Sequence, residues 1–140
     1  MKRKILIVII TVLIFTIIYV MFIKRTPEKI LKQQFNIDLS NFNYSVISFQ
    51  EEWGDNGDGF CQIVFNLEEI TPNNLDYLKS INAKSLPIVE RTSPNELAWE
   101  YLNAKNGLYL YDVSSDDIRN FKLFIVDTNN KKAVLYYQIE

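Results

Sequence analysis

Histidine is absent from this 140-residue chain, cysteine occurs once, and glycine and proline occur four times each. Without an imidazole there is no Ser-His or Cys-His nucleophile pair, no histidine general base and no histidine-ligated zinc. The single thiol, Cys61, closes no internal disulfide and supplies no thiolate zinc cluster. What the chain does have is 48% apolar and 14% aromatic residues, which excludes a disordered tail. Its length suits one domain.

The longest feature is an apolar run, Ile5 to Ile23, free of charge, Gly and Pro and preceded by Lys2, Arg3 and Lys4. As a helix the run reaches about 28 Å, the thickness of a bilayer hydrocarbon core. Lipid forces every backbone group to bond within the segment, which overrides the weak helix preference of its many Ile and Val. Thr11 and Thr16 are expected to bond carbonyls one turn back. The run is longer than the apolar core of a secretory signal and is followed by no A-x-A-like site, so a single-pass transmembrane anchor is expected.

Cations lie on both sides of the run, Lys24, Arg25, Lys29 and Lys32 after it, so the positive-inside comparison is nearly even. Thr26 to Glu140 holds 10 Lys+Arg and 17 Asp+Glu, a net charge of −7. Keeping the short basic tail inside places this acidic domain outside the cell membrane. The same sign argues against a nucleic-acid partner, which calls for a basic stripe.

Thr26-Pro27, Thr71-Pro72 and Ser93-Pro94 are three helix starts, with a capping hydroxyl followed by Pro at the first helical position. The spacing of Ile30, Leu31, Gln34 and Phe35 predicts a juxtamembrane helix, that of Leu75, Leu78 and Ile81 a short one, and that of Leu97, Ala98, Tyr101 and Leu102 a third. Strand signals occupy Tyr44–Trp53, Phe60–Leu67, Leu108–Val113, Phe121–Asp127 and Lys132–Ile139. Asn56-Gly57 predicts a two-residue hairpin turn that pairs Trp53 with Phe60 and Phe49 with Val64. In the terminal hairpin Asp127 is expected opposite Lys132 and Leu123 opposite Tyr136. The fold class is α+β: an N-terminal transmembrane helix, then a small domain with an antiparallel sheet of about five strands (two hairpins plus one strand) and helices on one face. The divisions are 1–4 basic tail, 5–23 transmembrane anchor, 24–36 juxtamembrane helix and 37–140 a single domain. Ala83 to Thr92 reads as a loop with a short extended piece.

Candidate chemistry is sparse. Asp55 and Asp58 flank the glycine-rich turn and are the calcium candidates, since calcium takes carboxylate and carbonyl oxygens. The spacing departs from the calcium loop D-x-[DN]-x-[DN]-G-x₅-E, with Gly57 and Gly59 at its third and fifth positions, so a solvated turn is the simpler reading. Glu51 and Glu52 are adjacent on a strand and point to opposite faces, which forbids a shared dyad. Asp116-Asp117 reads as a turn. No cofactor is implied. Trp53 and Phe60, at the turn, are the candidate binding residues, suited to a protein or glycan partner.

The segment FQEEWGDNGDGF (Phe49–Phe60), with Asn120–Asp127 and Leu135–Glu140, resembles small uncharacterised exported or membrane-anchored proteins of Gram-positive bacteria. The resemblance implies a G-D-G hairpin, a Tyr-rich C-terminal hairpin and an exported or anchored location; it implies no activity. This chain departs from many of them in lacking a histidine at the hairpin. The leading functional expectation is a membrane-anchored, extracytoplasmic, non-enzymatic binding or envelope-associated domain. The rivals are an immunity protein against a bacteriocin or secreted toxin, and a carboxylate-dependent hydrolase.

Overall fold

The computed structural model describes residues 2–19, 25–89 and 102–140, with side chains from Ile7 onward. The architecture is α+β. Helix α1 (Lys2–Ile18) precedes α2 (Pro27–Phe35), β1 (Tyr44–Trp53), β2 (Gly59–Leu67), α3 (Pro72–Ser80), β3 (Lys84–Ser85), β4 (Gly107–Val113), β5 (Phe121–Asp127) and β6 (Lys132–Ile139). Among the described residues the strands form one antiparallel sheet of six, not five, in the order β1-β2-β6-β5-β4-β3. The additional strand is the two-residue β3, which pairs Lys84 with Tyr109 and lies where the loop Ala83–Thr92 is expected to hold a short extended piece.

Thr11 and Thr16 donate their hydroxyls to the carbonyls of Ile7 (3.0 Å) and Val12 (2.9 Å), one turn back along the helix. Among the described residues no helix is long and apolar enough to cross a membrane, and residues 20–23 of the expected span lie outside them. The helix expected after Ser93-Pro94 falls on residues 90–101, also outside the described residues.

The other two starts form as their caps dictate. Thr26 accepts a hydrogen bond from the Lys29 N–H at 3.4 Å, and α2 ends at Asn36, whose left-handed φ of 56° lets its N–H reach the Lys32 carbonyl. At α3 the Thr71 hydroxyl accepts from the Asn74 N–H while the Asn74 side chain accepts from the Thr71 N–H at 2.8 Å, a reciprocal capping box. Asn74 is buried, and its amide also donates to the Asn41 carbonyl, which pins the helix to the chain ahead of β1.

Alternation along the strands builds two cores. One face of the sheet buries Cys61, Ile63, Phe65, Leu108, Phe124, Leu135 and Tyr137 beneath Ile30 and Leu31 of α2 and Leu78 of α3. Burying an aromatic or aliphatic side chain there contributes about 2–3 kcal/mol. The opposite face packs Tyr109, Phe121, Leu123, Ile125 and Tyr136 beneath Leu86 and Ala104. α2 and α3 therefore share one face.

The terminal hairpin keeps its expected register, with Asp127 opposite Lys132 and Leu123 opposite Tyr136. The first hairpin does not. Trp53 pairs with Gly59 and Phe49 with Ile63, one residue away from the expected pairing, and the register shifts again between Val46 and Ser48. The reason is the turn, which is a longer loop than two residues: Gly54 N–H donates to Asp58 O (2.7 Å) and Gly57 N–H to Gly54 O (3.0 Å). Gly57 takes a φ of 89°, but Asn56 is not among the positive-φ residues. Asn56 instead accepts the Asp58 N–H through Oδ1 and donates its amide to the Asp58 carboxylate. A slip of one residue exchanges faces, so Trp53 stands on the helix side and Phe60 on the other.

Candidate functional site

Where β1 ends and β2 begins, Trp53 and Phe60 reach the rim of the sheet from opposite faces. Trp53 lies 5.6 Å from Tyr137 between ring centroids, and the Arg25 guanidinium sits over its indole at 5.8 Å. Phe60 stacks on Tyr136 at 6.0 Å, and Tyr136 continues to Phe121 at 5.5 Å. Both candidate residues line one open cleft of about 700 Å³. Glu52, Asp58 and Glu140 line it as well, together with Arg119 and Gln138. Cross-strand register explains the grouping: Glu52 is opposite Phe60, and Phe60 is opposite Gln138, so the three form a row across β1, β2 and β6.

Arg119 is the basic group of the cleft, and it is already engaged. Its guanidinium meets Asp117 Oδ2 at 2.6 Å and Glu140 Oε2 at 2.9 Å. Hydrogen bonds from Arg119 hold the Asp117 carboxyl below its ordinary range, and those same bonds raise Arg119. Glu52, Asp58 and two aromatic rings beside the Arg119–Glu140 ion pair suit a positively charged visitor, since ring faces and carboxylates both attract cations.

Asp58 lines the cleft with its carboxylate engaged by Asn56, whereas Asp55 is exposed in the loop and does not line it. Among the described residues no three His, Cys, Asp or Glu side chains are placed to hold a metal ion. Asp116 and Asp117 close a turn, with the Asp116 N–H on Ser114 Oγ at 3.2 Å.

Behind the rim, on the helix side, lies a polar group that sequence reasoning missed. Arg25 Nη1 is 2.9 Å from Glu51 Oε1, and Nη2 donates to the Tyr137 hydroxyl. The Glu51 oxygen is buried and accepts no aligned hydrogen bond, so its contact with Arg25 is an ion pair. Burial works against the Arg25 charge, but the Tyr137 hydroxyl and Glu51 outweigh it and raise the group. Opposite Glu51 in register is Cys61, whose thiol is pushed up to about 12, by burial first and then by the Glu51 charge. Tyr137 is raised too, again mainly by burial. In the sequence Arg25 reads as a cation flanking the apolar run. The available signal was Glu51, an acid in the row Phe49-Glu51-Trp53 on the helix side of the sheet.

Compared with protein-family models, curated proteins and solved structures, the chain matches none of them.

Proposed function

We propose that the protein is a single-pass, membrane-anchored binding domain that faces outward and presents the rim around Trp53 and Phe60 to a protein partner. The observation that carries this reading is the surface of α1. From Ile7 to Ile18 its side chains are exposed and uncharged, with Phe15 at 67% and Ile18 at 42%. A helix apolar on all sides finds its complement in lipid, not in water. Val20 to Ile23 extend the same apolar run in the sequence. Arg25, two residues past the run, is held by Glu51 of β1 and Tyr137 of β6, which supports a sheet lying close to the anchor.

Two experiments test the reading. Alkaline carbonate should leave the full chain in the membrane pellet, and protease added to intact cells should remove the domain. Release into the carbonate supernatant overturns the anchor, and full protection on intact cells overturns the orientation.

A second reading is self-protection against a membrane-active bacteriocin or secreted toxin. The observation favouring it is the net charge of −7 over Thr26 to Glu140, because peptides that attack anionic membranes are rich in Lys and Arg. Unchanged toxin sensitivity after deletion of the gene counts against it. A carboxylate-dependent hydrolase would draw on Glu52, Asp58 and Glu140 in the cleft. Turnover by the wild type that survives Glu52→Gln, Asp58→Asn and Glu140→Gln rules that out.

A further inference from the structure

We infer that the outer edge of β1 is a docking strand for an extended cationic peptide segment, which adds to the sheet beside β1 and sets a basic side chain in the cleft at Glu52. The inference rests on the binding-domain reading and names the chemistry of its partner.

Among the described residues β1 closes one end of the strand order, and β2 is its only neighbour in the sheet. A long edge strand offers a row of backbone donors and acceptors to any extended chain. Natural sheets blunt such edges with short strands, Lys, Pro or a cover. The far edge here, β3, is two residues long, whereas β1 runs ten residues without Lys or Pro. Its protective features among the described residues are the irregularity between Val46 and Ser48 and the inward-facing Glu51, which Arg25 already holds. Val46, Ile47, Phe49 and Trp53 are all exposed, from 37% to 55%. Backbone pairing and alternating apolar contacts are what strand addition uses.

Charge decides which chain would bind. Gln33 to Leu78 contain eight Asp and Glu and no Lys or Arg. Glu52 and Asp58 stand at the end of the β1 edge, Glu140 faces the same cleft, and Arg119 is consumed by Asp117 and Glu140. A second copy would set two such acidic halves side by side. A Lys- or Arg-bearing strand instead meets Glu52 and Asp58 at the cleft end of β1, beside an aromatic rim that already accepts a guanidinium, that of Arg25 over Trp53.

The test uses the full chain in phosphatidylcholine nanodiscs, with empty discs as the blank. The probe is a fluorescent peptide of alternating Lys and Val as long as β1, and the control carries Glu for Lys. The Lys peptide should bind, weaken with added salt, and slow amide exchange over residues 44–53. V46K/F49K and E52Q/D58N should each lower its affinity about tenfold while melting as cooperatively as the wild type. E52Q/D58N leaves the apolar packing alone and serves by itself if the Lys pair disturbs folding. Equal binding of both peptides, unchanged exchange in β1, or wild-type affinity in E52Q/D58N overturns the proposal. A chain that resists carbonate extraction but ignores the Lys peptide defeats this inference alone; a chain released by carbonate defeats the reading beneath it.

Discussion

Arg25 and Glu51 meet at 2.9 Å, joining the chain just past the apolar run to the edge strand of the sheet. Arg25 is 43% exposed and Glu51 22%, so the pair lies between the weak surface bridge and the costly buried one. Arg25→Ala strands a half-buried carboxylate beside the Tyr137 hydroxyl and should cost about 1–2 kcal/mol in a urea melt. Adding Glu51→Gln should restore part of the loss, because the uncompensated charge is then gone. Equal melts for Arg25→Ala and the double variant would show that the two groups are not coupled.

The glycines differ in what a side chain would meet. A Cβ at Gly107 would lie 1.9 Å from the Val126 carbonyl on the paired strand, at a φ of 133°. Gly57 also has a positive φ, but its Cβ would point into open space. Gly107→Ala should therefore cost about 3 kcal/mol and Gly57→Ala about 1 kcal/mol. Chemical denaturation of the two variants checks the order.

Alkaline pH should destabilise the fold. Cys61 is pushed from an ordinary 9.0 up to about 12 by burial and Glu51, and Tyr44 from 10.0 up to about 12 by burial and its bond to Glu28. Tyr137 is raised in the same sense. The folded state holds these protons more tightly, so the stability they contribute is complete below pH 9 and is lost as pH rises towards about 12. Melting temperatures should fall across that window. Cys61→Ala should remove the onset near pH 9 and leave the tyrosine part of the fall.

Calcium should leave the melting temperature unchanged. Asp58 is engaged by Asn56, and Asp55 does not join it at the cleft. A ligand that binds the native state raises its melting point, so matched scans in millimolar calcium and in chelator are decisive. A rise abolished by Asp55→Asn with Asp58→Asn would establish a calcium site.

Much of the fold was legible because it is local. A hydroxyl before Pro starts α2 and α3 within four residues of the chain, and the terminal hairpin reads correctly because Asp127 and Lys132 flank a short turn. The first hairpin misled for an equally local reason. Asn-Gly usually closes a two-residue turn, but the Asn56 side chain bonds to Asp58 and enlarges the loop, which moves the pairing by one residue. Trp53 and Phe60 were recognisable as rim residues; their separation onto two faces was not.

The sequence by itself determined the alternation along each strand, the helix caps, the acidity of the β1–β2 half and the absence of any histidine chemistry, since these depend on residue identity and spacing over a turn or a strand. Tertiary structure alone decided the rest. Arg25 and Tyr137 are 112 residues apart, and only the neighbourhood of β1, β2 and β6 brings them into contact. Glu52, Asp58 and Glu140 likewise share a cleft because β6 lies beside β2 in the sheet. Strand order is set by which apolar faces bury one another across the whole domain, and no local pattern encodes it.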